Sequence, residues 1–170
     1  MADVIPPEIP PGKPVSAPRI SIAQLMQPEH ANLMGNVHGG WIMKLVDEAG
    51  ALACIRHAQQ RVVTVAVDQM TFKQPIRIGD LVTITAEVSY TGRTSIEAEV
   101  NVTAINPLTG ECTHTNTAYL VYVALNEDGS PAIVPNLIPE NDEQKARFEA
   151  GQARQLYRLA QSRKRKASEA

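Results

Sequence analysis

Residues 39–57 read GGWIMKLVDEAGALACIRH, and this run decides the fold. Ile42, Leu45, Val46, Ala49, Leu52 and Ala53 recur at helical spacing and form one apolar stripe. The pattern predicts a single long helix from Gly39 to about His57. Its other sides carry Met43, Ala51, Cys54 and Ile55, so it is more apolar than a surface helix and is expected to be buried on more than one side. A helix of this kind belongs at the centre of a domain.

Strands are predicted downstream of it. Residues 61–72 (RVVTVAVDQMTF) begin them. Val82, Ile84, Ala86, Val88 and Tyr90 then alternate with Thr83, Thr85, Glu87 and Ser89, the two-residue period of a strand with one buried face. Ile96, Ala98, Val100, Val102 and Ala104 repeat the alternation after a turn at Gly92, which makes a hairpin. A further turn over Asn106–Gly110 leads to a last strand around Thr115 to Ala124, and the sheet is expected to be antiparallel.

Upstream of the helix, residues 19–26 (RISIAQLM) suit a first short strand, and a loop follows from Pro28 to Asn36. Residues 1–18 hold five prolines between Pro6 and Pro14, with Pro18 closing the run, a composition that favours extended or disordered backbone outside the core. Residues 140–165 are rich in Ala, Gln, Glu, Lys and Arg with sparse apolar points at Phe148, Leu156 and Leu159, as a peripheral helix would be. The chain thus divides into a Pro-rich disordered arm (1–18), a domain (19–139), and a C-terminal helix with a basic tail (140–170). The class is α+β, with an antiparallel sheet wrapped around a long central helix.

Length and charge narrow the function. The 170 residues suffice for one domain of this size with appendages. A net charge of −2 supplies no field for nucleic acid or an anionic membrane, and the basic run Arg163 to Lys166 reads as a solvated helix end favourable to the macrodipole. No stretch approaches the roughly 18 uncharged residues of a membrane span, and there is no apolar signal core. Cys54 and Cys112 are expected to be reduced thiols, which fits a cytoplasmic location. The four histidines show no metal-ligand spacing, so neither metal nor cofactor is expected.

Asp47 falls off the main apolar stripe of the helix, among small and apolar neighbours. A carboxylate there either lines a cleft or a subunit interface, where its basicity can be used, or is a partly exposed acid paired with Lys44. Glu48 points towards Lys44 and reads as its surface partner. Gly39 and Gly40 open the helix, where free N–H groups and the dipole can receive developing negative charge, or where they simply form a tight turn. At about 1.5 Å of rise per residue, Asp47 lies ~12 Å along the axis from Gly39, too far for the two to share one carbonyl within a chain. A two-fold dimer with antiparallel helices would bring them together.

The run NLMGNVHGGWIMKLVDEAG (32–50) resembles the signature of the cytosolic, brain-type acyl-CoA hydrolases of the hotdog fold. The similarity continues through VVTVAVDQMTFKQPIRIGD (62–80), SYTGRTS (89–95) and NPLTGECTHTNTAYLVYV (106–123). This resemblance implies a hotdog thioesterase that hydrolyses acyl-CoA to fatty acid and CoA, where CoA is part of substrate and product and not a cofactor. It implies that Asp47 is the general base or nucleophile, that Asn32 from the facing subunit orients the water or the thioester carbonyl, and that the Gly39 and Gly40 amides receive the oxyanion. Asn36 is assigned to loop hydrogen bonding instead. It further implies that Gly92, Arg93, Thr94 and Ser95 seat the CoA nucleotide, with Lys73 a weaker phosphate candidate. The expected assembly is a homo-oligomer, a dimer or a trimer of dimers.

Two other readings stay open at this level. A hotdog hydratase or dehydratase would want a histidine tied to an acid, and His38 before Gly39 shows no such partner in sequence. A non-enzymatic acyl-CoA-binding regulatory module would not need both Asn32 and Asp47. The absence of a G-x-S-x-G elbow disfavours a serine hydrolase.

Overall fold

A computed structural model describes residues 9–15 and 19–168. The elements run β1 (Lys13–Pro14), β2 (Ile20–Leu25), α1 (Gly39–Ala58), β3 (Arg61–Met70), β4 (Leu81–Thr91), β5 (Ser95–Ile105), β6 (Cys112–Leu125), β7 (Leu137–Ile138) and α2 (Asp142–Ser168). β2 to β6 form one antiparallel sheet in the order β2-β4-β5-β6-β3. The fold is the expected α+β arrangement, with α1 laid along the inner face of that sheet.

Alternation builds the core. Val82, Ile84, Ala86 and Val88 of β4, Ile96, Ala98, Val100 and Val102 of β5, and Ala118, Leu120 and Tyr122 of β6 all turn inward and are buried. They meet Ile42, Leu45, Val46, Ala49, Ala53 and Cys54 of α1. Each fully buried Val, Leu or Ile adds roughly 1.5–3 kcal/mol to folding. The small residues Ala49, Gly50 and Ala53 let the helix approach the sheet closely. His38 caps the start of α1, its Nδ1 accepting from the Gly40 N–H at 2.9 Å. Gln59 ends it in the left-handed conformation, with φ 55° and its N–H bonded to the Ile55 carbonyl.

The helix is less enclosed in the single chain than its sequence suggests. Leu52, placed on the buried stripe by spacing, is 44% exposed, and Met43 and Ile55 are exposed too. The sheet covers one side of α1 only. β3 is an edge strand, and Val63, Val65 and Val67 on it are exposed in the same way.

Two further features differ from the sequence reading. Within the Pro-rich segment, Lys13–Pro14 pair in parallel with Leu137–Ile138, and Val15 is buried in the core. Lys13 Nζ also donates to the His57 carbonyl at 2.8 Å, near the C-terminal end of α1. Proline permits this because it sits on a two-residue strand where few ladder bonds are needed. The rest of that arm, residues 1–8 and 16–18, lies outside the described residues.

α2 is peripheral but firmly attached. It crosses the outer face of the sheet, where the polar half of the strand alternation faces out. Phe148 packs on Tyr90, with ring centroids 5.0 Å apart. Arg147 pairs with Glu87, Arg154 with Glu97 at 2.7 Å, and Arg158 with both Glu97 and Asp68.

Candidate active site

Asp47 sits half-buried at the middle of α1, and two other elements hold its carboxylate. Thr64 Oγ1, from β3, donates to Asp47 Oδ1 at 2.8 Å. The Tyr122 hydroxyl, from β6, reaches the same oxygen at 3.2 Å and the Asp47 carbonyl at 3.0 Å. Thr64 and Tyr122 are register partners on neighbouring strands, so both point to the face that meets the helix. Burial, with the Asp47 charge beside it, pushes the Tyr122 phenol far up, which keeps it a donor. Lys44 pairs with Glu48 at 2.8 Å and not with Asp47, so Asp47 is not the surface ion pair that the sequence left open.

Neither Thr64 nor Tyr122 was singled out from sequence. A threonine among alternating valines, and a tyrosine in a buried strand, look like ordinary strand residues. One signal was present. Gly50 interrupts a helix interior where alanine would be better by about 1 kcal/mol. A Cβ there would fall inside van der Waals contact of the Tyr122 hydroxyl and 3.2 Å from its Cζ.

A groove of about 370 Å³ opens between α1 and β3 beside Asp47, lined by Gly40, Met43, Val46, Thr64, Val67, Met70 and Leu120 among others. Its walls are mostly apolar, as an acyl chain or a pantetheine arm would require.

Asn32 belongs to a different corner. Its Oδ1 accepts the N–H groups of Met34 at 2.8 Å and Asn36 at 3.2 Å, while its own N–H donates to the Asn36 carbonyl at 2.7 Å. The loop turns at Gly35, with φ 79°. The carboxamide oxygen is thus engaged by the loop, while Nδ2, a donor, has no hydrogen-bond partner among the described residues. Asn36 takes part in the loop through its backbone N–H and carbonyl. Asn32, Gly39, Phe72, Lys73 and Ile76 line a cavity of about 310 Å³.

The two opening glycines differ. The Gly40 N–H is taken by His38 Nδ1, whereas no bond of the Gly39 N–H occurs among the described hydrogen bonds. Of the expected pair of oxyanion amides, Gly39 is the one that stands open in the chain.

The expected substrate-binding residues are split between the two ends of α1. Lys73 stands near the helix N-terminus with Asn32 and Gly39. The hairpin Gly92–Ser95 lies at the other end, closed by the Gly92 N–H to the Ser95 carbonyl at 2.8 Å and tied down by Ala124 and Val134 N–H groups on the Thr94 and Arg93 carbonyls. The Arg93 side chain is exposed. Among the described residues, Asn32 and Asp47 line separate cavities.

A family model described as the thioesterase superfamily matches residues 34–111. The cytosolic acyl coenzyme A thioester hydrolase of Rattus norvegicus is 38% identical over 149 residues, which cover 86% of this chain and 39% of that protein. The chain therefore spans well under half the length of this relative. Protein VdlD of Helicobacter pylori is 34% identical over 140 residues, with 82% and 80% covered. Among solved structures, an apo-hexameric acyl-CoA thioesterase superposes with a TM-score of 0.85 at 36% identity, covering 89% of this chain and 97% of that one. The acyl-CoA hydrolase of Staphylococcus aureus, in complex with butyryl coenzyme A, coenzyme A and coenzyme A disulfide, superposes at 0.84 with 30% identity, covering 93% and 96%. Alanine variants of that enzyme at an asparagine, an aspartate and a threonine have also been solved. The replaced asparagine and aspartate are 15 positions apart and the threonine follows by 17, the intervals that separate Asn32, Asp47 and Thr64 here (47 − 32 and 64 − 47).

Proposed function

The chain belongs to the hotdog thioesterase superfamily, in its acyl-CoA thioester hydrolase family, and on that premise we propose that it hydrolyses acyl-CoA thioesters at a site shared between two subunits. One observation carries the composite site. Asp47 and the Gly39 amide sit ~12 Å apart along one helix, in separate cavities, beside an apolar flank and a sheet edge left exposed among the described residues. A second copy docked edge to edge along β3, with its α1 antiparallel to the first, buries Met43, Ile55, Val63, Val65 and Val67. It also sets the partner's Asn32 and Gly39 opposite Asp47.

The reaction follows from the donors. The thioester carbonyl oxygen lies towards the Gly39 N–H and the Asn32 Nδ2, which stabilise the charge that develops on it. Water adds to the carbonyl carbon as its proton passes to Asp47; the C–S bond breaks and that proton goes to the departing thiolate of CoA. Direct attack by Asp47, through an acyl-enzyme anhydride that water then opens, uses the same positions. Neither route requires a metal or a further cofactor. Arg93, Thr94 and Ser95 at the Gly92 turn serve the nucleotide phosphates, and Lys73 adds positive charge near Asn32. Trimerisation of the dimer gives the hexamer named for the solved relative.

The test is a steady-state series over saturated acyl-CoAs of increasing chain length, following free thiol. Wild type releases thiol, and Asp47→Ala loses about 10³-fold or more in kcat while still binding CoA by calorimetry. Consumption of 3-hydroxyacyl-CoA with no thiol from saturated substrates would make it a dehydratase instead. CoA binding without any turnover would make it a regulatory module.

A further inference from the structure

The geometry points to Tyr122 as the residue that aims the Asp47 carboxylate, fixing Oδ2 as its reactive oxygen, with Gly50 the space that allows it. This rests on the hydrolytic role proposed for Asp47. Two donors from two strands converge on one carboxylate oxygen, Thr64 at 2.8 Å and Tyr122 at 3.2 Å, both on Oδ1. Among the described residues Oδ2 accepts no hydrogen bond, and the groove beside Asp47 is where a substrate would reach it. A carboxylate held by one oxygen can still swing about that contact. Thr64 and Tyr122 approach Oδ1 at an angle, the single Tyr122 proton being shared between Oδ1 and the Asp47 backbone carbonyl, and together they narrow that freedom.

Tyr122 is itself enclosed on all sides. It is fully buried within β6, between β5 and β3, so its hydroxyl is placed by the sheet and not by solvent. Gly50 is its counterpart on the helix, one turn after Asp47, where a methyl group would overlap the hydroxyl. Sheet and helix thus set the orientation of the carboxylate together, without Tyr122 touching the substrate. It is a positioning residue.

Two variants approach the contact from opposite sides. Tyr122→Phe removes the hydroxyl, and Gly50→Ala pushes it aside while improving helix propensity. Each is expected to lower kcat on the order of tenfold with KM within about twofold of wild type, because orientation and not binding is lost. Together they are expected to lose little more than Tyr122→Phe alone, since the methyl group then displaces no hydroxyl. Crystal structures of the two single variants should show the Asp47 carboxylate rotated from its wild-type plane.

Wild-type kcat in Tyr122→Phe, or losses confined to KM, would overturn the assignment. So would an unrotated carboxylate in both crystals. Should the wild-type chain release no thiol from any acyl-CoA, the hydrolytic reading falls, and the crystal structures still decide whether Tyr122 and Gly50 orient Asp47.

Discussion

Asn32 shows how a single side chain divides its work. Its carbonyl oxygen shapes the loop through Met34 and Asn36, and its amide nitrogen has no hydrogen-bond partner among the described residues, which leaves it for the substrate role proposed above. Asn32→Asp should therefore keep the loop, since a carboxylate accepts the same two N–H groups, yet offer no donor to an oxyanion. The expected outcome is a melting temperature close to wild type with kcat lowered about 10²-fold or more. Asn32→Ala should lose activity and loosen the loop, which hydrogen exchange at Met34 and Asn36 would register. A stable, fully active Asn32→Asp would mean that the nitrogen is not used.

At the scale of elements, two attachments hold the periphery to the core. His57, at the end of α1, is buried, and its Nε2 meets the Pro135 carbonyl at 2.8 Å. Burial holds the imidazole below its ordinary value of 6.5, an effect that the Pro135 carbonyl opposes and nearby Lys13 reinforces. The unfolded chain therefore binds a proton more readily than the folded one below about pH 6.5, and stability falls as pH drops through that range towards the lower folded value. His57→Gln keeps a donor for Pro135 and should flatten the slope that sets in below about pH 6.5 in denaturant titrations. The second attachment is the arginine stripe of α2. Glu97 is 1% exposed and held by Arg154, Arg158 and the Ser89 hydroxyl. Arg154→Ala leaves that buried charge short of a partner, at a cost of about 2 kcal/mol. That corresponds to a melting temperature lower by roughly 4–8 °C. Adding Glu97→Leu should recover part of the loss, because the stranded charge goes too.

For the whole molecule, a shared site makes a prediction that no single chain can satisfy. Asp47→Ala and Asn32→Ala chains should each be inactive as homo-oligomers. Dissociated together and reassembled, mixed pairs carry one intact site, with Asp47 from one chain and Asn32 from the other. Random pairing makes half the dimers mixed, with one working site of two, so roughly a quarter of wild-type activity should return. No recovery after verified mixing would place both groups in one subunit.

The chain order and periodicity alone determined a long apolar helix from Gly39, a hairpin-rich antiparallel sheet, and Asp47 as a carboxylate off the helix stripe, because helical and strand periods are local and leave their mark on consecutive residues. If Gly39 and Asp47 serve one carbonyl, the rise of the helix between them also calls for a second chain. What only the tertiary structure decided was which groups from distant segments meet: Thr64 and Tyr122 on the Asp47 oxygen, Glu97 under the arginines of α2, and Val15 in the core. Those contacts depend on strand order and register, which bring residues dozens of positions apart within hydrogen-bonding distance, and no local pattern of side chains encodes them.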